Sequence, residues 1–188
     1  MNAKKWEIIK SDYIIQRPWL TARKDEIRLP DGKINTEYYI LEYPDWVNVI
    51  AITKEGKFLM VEQYRHGLQD YFVELVAGVI EKDENPLDAA KRELMEETGY
   101  GNGNWELLTV ISQNPSSTTN LTYCFLAKEI EKLGSQSLDE TEDVTPCLLS
   151  EQEVLELLKG DKIKQALMAT PLWKYFYIQL EKKSQIIY

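Results

Sequence analysis

Between Gly78 and Gly99 the chain reads Gly78-x5-Glu84-x7-Arg92-Glu93-Leu94-x-Glu96-Glu97-x-Gly99. Glutamates at one-turn spacing repel when they stand alone, by a few tenths of a kcal/mol per pair on a helix (about 0.2–0.5). Glu93 and Glu97 are one helical turn apart, with Glu96 beside them, so their carboxylates share a face. Arg92 offsets part of that repulsion. Mg²⁺ or Mn²⁺ among the carboxylates would turn the arrangement favourable, because hard divalent cations prefer carboxylate and phosphate oxygens. The plainer meaning of such a charge run is a solvated helix face. Gly78, Glu84, Arg92 and Gly99 in fixed register argue against it.

The element that positions these groups is legible locally. Asn85 is a helix cap and Pro86 suits the first helical position, where its missing N–H is harmless. Asp88 falls in the first turn, favourably placed against the helix dipole, and Gly99 is a natural stop. The spacing predicts a helix over Pro86–Thr98 whose apolar stripe is Leu87, Ala90 and Leu94. Elsewhere the pattern predicts strands at Trp19–Leu29 and Ile34–Leu41, joined by the turn Pro30-Asp31-Gly32-Lys33. A second hairpin pairs Trp46–Thr53 with Phe58–Tyr64, turning at Gly56. Tyr71–Val76 leads into the acidic segment, and Trp105–Ser112, Leu121–Lys128 and Val144–Leu149 follow as strands. Ser150-Glu151-Gln152-Glu153 has the capping-box pattern ahead of the apolar run Val154–Leu158. Ile163–Lys182 reads as a helix, with Pro171 as a point where it could be interrupted. The sum is an α+β mixed sheet with the acidic helix and C-terminal helices packed on it.

Length and composition set bounds. A chain of 188 residues with 44% hydrophobic content suits one soluble domain plus an accessory element. The net charge of −9, from 22 basic and 31 acidic residues, argues against a nucleic-acid partner, which needs a basic footprint. It leaves room for an anionic nucleotide, since bound metal inverts local charge. Cys124 and Cys147 are too few for a disulfide framework and read as small packed hydrophobes; a single disulfide stays open. The N-terminal residues lack the apolar core of a signal peptide, and the longest apolar runs fall short of a membrane span. The cytoplasm is the expected location, with no membrane partner.

The Gly78–Tyr100 segment resembles the Nudix box, the signature of hydrolases that cleave a nucleoside diphosphate linked to another group. A match at one given start arises by chance on the order of one time in 10⁹, since each fixed residue type is a few per cent of usage. Tyr100 replaces the usual aliphatic residue at a packing position. The resemblance implies an α/β/α sandwich with a mixed sheet over residues 45–188, preceded by a small N-terminal β-hairpin sub-domain over 1–44. It implies that Glu93, Glu96 and Glu97 hold metal with the Ala77 carbonyl, that Arg92 orients one glutamate, and that Glu84 is a weaker partner. Gly78 is expected to allow a tight turn.

Glu62-Gln63-Tyr64-Arg65, Glu74-Leu75-Val76-Ala77-Gly78 and Pro115 are similar to the pattern of ADP-ribose pyrophosphatases and related ADP-sugar diphosphatases. Val76 and Ser116 depart from that pattern, where the subgroup more often has proline and glycine. Leu138–Val144 resembles the acidic loop that supplies a catalytic glutamate, with Glu140 ahead of Glu142 as the candidate. Arg65 would contact the diphosphate, or else be a surface arginine at a strand end. Trp19, or Tyr38 or Tyr39, would offer an aromatic face to the base, with Pro115 in the substrate loop. His66 is expected at the surface. By resemblance the N-terminal sub-domain crosses to a partner subunit, making a homodimer. The implied reaction is Mg²⁺-dependent conversion of ADP-ribose to AMP and ribose 5-phosphate. Alternatives are GDP-mannose, another nucleotide sugar, a dinucleotide such as NADH, or a non-catalytic nucleotide sensor. No role is read for the tail Glu181–Tyr188.

Overall fold

The computed structural model describes residues 5–185; the end of the Glu181–Tyr188 tail lies outside the described residues. Eleven strands and three helices follow in the order β1 (Glu7–Arg17), β2 (Leu20–Arg28), β3 (Ile34–Glu42), β4 (Trp46–Thr53), β5 (Phe58–Arg65), β6 (Asp70–Glu74), β7 (Val76–Val79), α1 (Pro86–Thr98), β8 (Tyr100–Gly101), β9 (Asn104–Ile111), β10 (Thr122–Lys132), β11 (Val144–Leu149), α2 (Glu151–Lys159) and α3 (Ala166–Gln185). Two compact units emerge. One comprises the chain up to Pro44 together with Ser112–Leu121, and the other comprises Asp45–Ile111 with Thr122 onward.

The first unit is a three-stranded antiparallel sheet, β1-β2-β3. The expected hairpin of β2 and β3 is present, but β1 adds a third strand where no element was expected. Its apolar residues come in doublets, Ile8-Ile9 and Ile14-Ile15, which break the period of two that marks a strand. The ladder has register shifts between Ile8 and Lys10 and between Tyr13 and Ile15, so bulges absorb the doublets. Buried Asp25 is paired by Arg23, which also bonds Glu42. The 112–121 segment docks on β3 through Leu41 N–H to Ser117 O at 2.7 Å and Thr119 N–H to Leu41 O at 3.2 Å.

The second unit is an eight-stranded mixed sheet, with the path β11-β5-β4-β10-β8 and with β6, β7 and β9 pairing β5, β4 and β10. β10 runs parallel to β4 and the other ladders are antiparallel. Strand alternation splits the core between two faces. Val47, Val49, Ala51, Leu59 and Val61 pack with Ala89, Ala90 and Leu94 of α1. Ile50, Ile52, Phe58 and Met60 pack on the other face with Val154 and Leu158 of α2 and Leu172 and Tyr175 of α3. This is the expected α/β/α sandwich. Both cysteines are free thiols, Cys124 buried.

α2 starts on the predicted capping box, with Ser150 and Glu153 bonding reciprocally. α3 runs unbroken through Pro171, which closes the alternative of an interruption there. Proline lacks the N–H that would bond the carbonyl four residues earlier. That carbonyl, Leu167 O, instead accepts from the side-chain amide of Asn48 at 2.7 Å, a buried contact from β4. A tertiary donor therefore replaces the missing helical one. Asn48→Leu is expected to lower stability by about 1–3 kcal/mol, the usual effect of orphaning a buried carbonyl. Adding Pro171→Ala should recover much of that loss, because an alanine in place of the proline restores the helical N–H. Urea denaturation of both variants checks this, and strictly additive losses would contradict it.

Candidate active site

α1 has the predicted limits. Asn85 Oδ1 accepts from Leu87 N–H at 2.9 Å, and Gly99 closes the helix at φ 69°, its N–H on Met95 O at 2.7 Å. Burial of Ala89, Ala90 and Leu94 against the sheet fixes the rotation of the helix about its axis. The acidic side chains are thereby aimed at β7 and the loops beside it.

Arg92 organises them. Its Nε and Nη2 grip Glu84 at 2.9 Å each, and Nη2 also donates to Val79 O at 2.9 Å. Nη1 donates to Glu93 at 2.8 Å and Glu96 at 3.0 Å. All five guanidinium N–H donors are thus engaged. The expectation that Arg92 orients one glutamate is too modest, since it ties three. Glu84 also accepts from Glu81 N–H at 3.0 Å, closing the loop ahead of the helix. Hydrogen bonding to Arg92 holds the Glu84 carboxyl below its ordinary range. Burial instead raises Glu93, with the Arg92 contact opposing the rise.

Gly78 is needed for space rather than for a turn. It lies in β7 paired with Val47, and a Cβ there would overlap the Glu93 carboxylate. Glu97 is only 5% exposed, and its Oε2 has no hydrogen-bond partner. Burial, reinforced by the charge of Glu93, pushes its pKa up to about 8.

Glu97 borders a cavity of about 430 Å³ together with Ala77, Arg65, Tyr71, Glu142 and Asp143. Arg65, at the end of β5, is anchored on Glu74 by Nε to Oε1 at 3.1 Å and Nη2 to Oε2 at 2.5 Å. Glu74 is 3% exposed, so this is a fixed pair and not a free surface arginine. Glu140 and Glu142 are both exposed, but Glu142 lines the cavity and its Oε2 accepts from Asp139 N–H at 3.0 Å, whereas Glu140 is outside the lining.

The NUDIX domain model matches residues 42–170, and the model of the nucleoside diphosphate sugar hydrolase N-terminal domain matches residues 6–41. This chain belongs to the Nudix family. It is 34% identical over 186 residues to an ADP-ribose pyrophosphatase of Bacillus subtilis (strain 168), covering 98% of each chain. It is 36% identical over 156 residues to a methanol dehydrogenase activator of Bacillus methanolicus, covering 82% of this chain and 84% of that one. In fold it is similar to a crystal structure of an ADP compounds hydrolase, with TM-score 0.82, 20% identity and 98% coverage of both chains.

Nudix hydrolases generally need divalent metal ions, and the oxygen-rich set here fits one. The buried Glu97 Oε2 lacks any partner, and Glu93 and Glu96 each engage Arg92 through one oxygen. A carboxylate can serve two partners, one per oxygen. Among the described residues, however, no three His, Cys, Asp or Glu groups converge as a ready-made site. The expected set of Glu93, Glu96, Glu97 and Ala77 is neighbouring but divided by Arg92. Of the sequence candidates, Arg65, Ala77, Glu97 and Glu142 meet at the one cavity. Trp19, Tyr38 and Pro115 belong to the other unit. Trp19 is 82% exposed in the β1–β2 turn, and Pro115 is exposed. The Tyr38 hydroxyl is occupied by Ser116 O at 2.8 Å, and its ring meets Trp6 edge-on. His66 is exposed, as expected. Sequence reasoning missed Glu74 as the anchor of Arg65; in the β5–β6 ladder Asp70 stands opposite Arg65 and Glu74 opposite Val61, so pairing position gave no signal for it.

The raised Glu97 value has a signed consequence. The unfolded chain ionises near the ordinary 4.5, while the folded site resists ionisation until about 8. Stability from this group is full below the lower value and is lost as pH rises through the upper one. In a chelating buffer, Glu97→Gln should therefore melt increasingly above the wild type from about pH 5 to about pH 8. Parallel melting-temperature profiles over that range would show that Glu97 is not held neutral.

Proposed function

We propose that this chain hydrolyses ADP-ribose to AMP and ribose 5-phosphate in a reaction that requires Mg²⁺, with Mn²⁺ as substitute. The observation that carries the reading is the meeting of Glu97, whose Oε2 has no hydrogen-bond partner, with Glu142 and anchored Arg65 at one cavity. The full-length similarity to an ADP-ribose pyrophosphatase supports the choice of substrate. Glu93, Glu96, Glu97 and the Ala77 carbonyl would hold the metal, which when bound neutralises diphosphate charge and acidifies water. Arg65 spends Nε and Nη2 on Glu74, which fixes the plane of the guanidinium. Nη1 then faces a phosphate oxygen, a contact suited to a planar guanidinium. Glu142 accepts the proton of the attacking water as its oxygen bonds phosphorus and the bridging P–O bond breaks. Trp19, or else Tyr38 or Tyr39, offers the adenine an aromatic face, with Pro115 in the substrate loop.

The first test is product analysis with ADP-ribose, ADP-glucose, GDP-mannose and NADH, each with and without Mg²⁺. Mg²⁺-dependent AMP release, fastest from ADP-ribose, is expected. Glu142→Gln should lower kcat by about 10² or more, the usual range for a general base, while Glu140→Gln stays near wild type. The reverse ranking would return the base to Glu140. A preference for GDP-mannose would overturn the substrate, and tight binding without turnover would favour a sensor.

The same reading includes a homodimer formed through the N-terminal unit. All eleven residues of β1 are exposed, Ile8, Ile14 and Ile15 among them. A three-stranded sheet that leaves such side chains in water is a surface that a second copy would cover. Sedimentation should give a dimer for the wild type and a monomer for Ile14→Glu; a monomeric wild type would contradict this. Two free cysteines suit a reducing cytoplasm, and among the described residues no helix is long and apolar enough to cross a membrane.

A further inference from the structure

The sheet face that packs on α3 carries a second cavity, of about 210 Å³, bordered by Asn48 of β4, Thr122 of β10 and Gln165 immediately before α3. Asn48 Oδ1, Thr122 Oγ1 and Gln165 Oε1 are all buried without a hydrogen-bond partner. Asn48 and Thr122 are 1% and 2% exposed. Unpartnered buried polar atoms are rare in folded proteins, and here three belong to residues around one space. The volume would hold about seven waters at roughly 30 Å³ each, too much for a single bridging water.

The acceptor character of Asn48 is imposed by the fold. An asparagine amide can ordinarily flip to suit its neighbours. Here Nδ2 is committed to Leu167 O, which Pro171 leaves without a helical donor. Leu167 O can only accept, so the oxygen end of Asn48 is the end left over. Cys124, the β10 residue paired with Asn48, directs its thiol to the backbone carbonyl Thr122 O at 3.8 Å. The unmet groups are thus two amide oxygens and one hydroxyl. Adenine brings donors only at its single exocyclic amine and adds ring nitrogens that need donors, whereas a sugar brings a donor on each of several hydroxyls, matching three separate acceptors. Arg65 and Ala77 border this cavity and the Glu97–Glu142 cavity alike. A diphosphate placed at Arg65 therefore has one of its two substituents directed here.

We propose that this second cavity binds the sugar end of the substrate, its hydroxyl groups donating to Asn48, Thr122 and Gln165. The proposal rests on the nucleoside-diphosphate-sugar reading above and assigns which half of that molecule goes where. Thr122→Val and Gln165→Met remove unpartnered oxygens at nearly constant volume, and thermal melts check that both variants fold. Calorimetric titration of ribose 5-phosphate and of AMP, in Mg²⁺ buffer, reads the cavity without reading turnover. Each variant should weaken ribose 5-phosphate binding roughly tenfold, the loss expected for one hydrogen bond, and leave AMP unchanged. Unchanged ribose 5-phosphate affinity in both variants would reduce the cavity to a water pocket and overturn the proposal. Weakened AMP binding in place of weakened ribose 5-phosphate binding would overturn the assignment of the halves, as would a wild type that does not bind ribose 5-phosphate. ADP-ribose hydrolysis by the wild type is measured separately. A wild type that turns over while the variants bind normally sinks only this cavity; selective loss of sugar binding without turnover sinks only the reaction.

Discussion

The guanidinium of Arg92 is the contact on which the acidic site depends. Three carboxylates converge on it from two stretches of chain, the loop at Glu84 and the helix face at Glu93 and Glu96. Without that cation the loop ahead of α1 would lose its tether to the helix, and Glu93 would be a partly buried charge with no partner. The fifth donor reaches Val79 O, so one side chain joins β7, the loop and α1. Gly78 belongs to the same construction, because only a residue without a side chain lets Glu93 lie against β7. Glu97 is outside the clamp. It is buried, it is pushed toward its neutral form, and one of its oxygens has no partner. Arg92 neutralises Glu84, Glu93 and Glu96 and leaves Glu97 without such a partner, which in the proposed reading is the demand a bound cation meets.

The sheet connects this demand to the rest of the molecule. Its two faces carry different cores, and the strand residues alternate between them. On one face α1 is seated by small residues, Ala89 and Ala90, which bring the helix close to the strands. On the other face Asn48 interrupts the apolar row of β4 between Val47 and Val49 in sequence and beside Ile50 in space. A polar residue there would be unfavourable unless bonded, and Pro171 creates the carbonyl that bonds it. Two exceptions to ordinary packing, an asparagine in a core strand and a proline inside a helix, are each accounted for by the other.

What was legible in the chain follows from the range of the forces involved. The limits of α1 were readable because Asn85, Pro86 and Gly99 act within one turn, and the capping box at Ser150 was readable for the same reason. β4, β5 and β11 were readable from β-forming runs bounded by turns. β1 was not, because bulges put two consecutive isoleucines where a regular strand allows one. The continuity of α3 through Pro171 was hidden too, since its cause lies 119 residues away in β4. In the site, the family resemblance pointed to the acidic residues but not to their pairing. Whether an arginine holds one glutamate or three depends on side-chain reach across a loop. Between Glu140 and Glu142 the sequence offers no physical criterion, because in an irregular loop no period says which side chain faces the cavity.

If the deficiency left by Arg92 at Glu97 is a divalent-cation site, the metal should bind there before any substrate arrives. An electron paramagnetic resonance titration of Mn²⁺ into the wild type and Glu97→Gln, without substrate, reads this directly. Saturable binding by the wild type and a large loss of affinity in the variant are expected, with the fold retained. Equal Mn²⁺ binding by the two proteins would refute the assignment and move the metal away from α1.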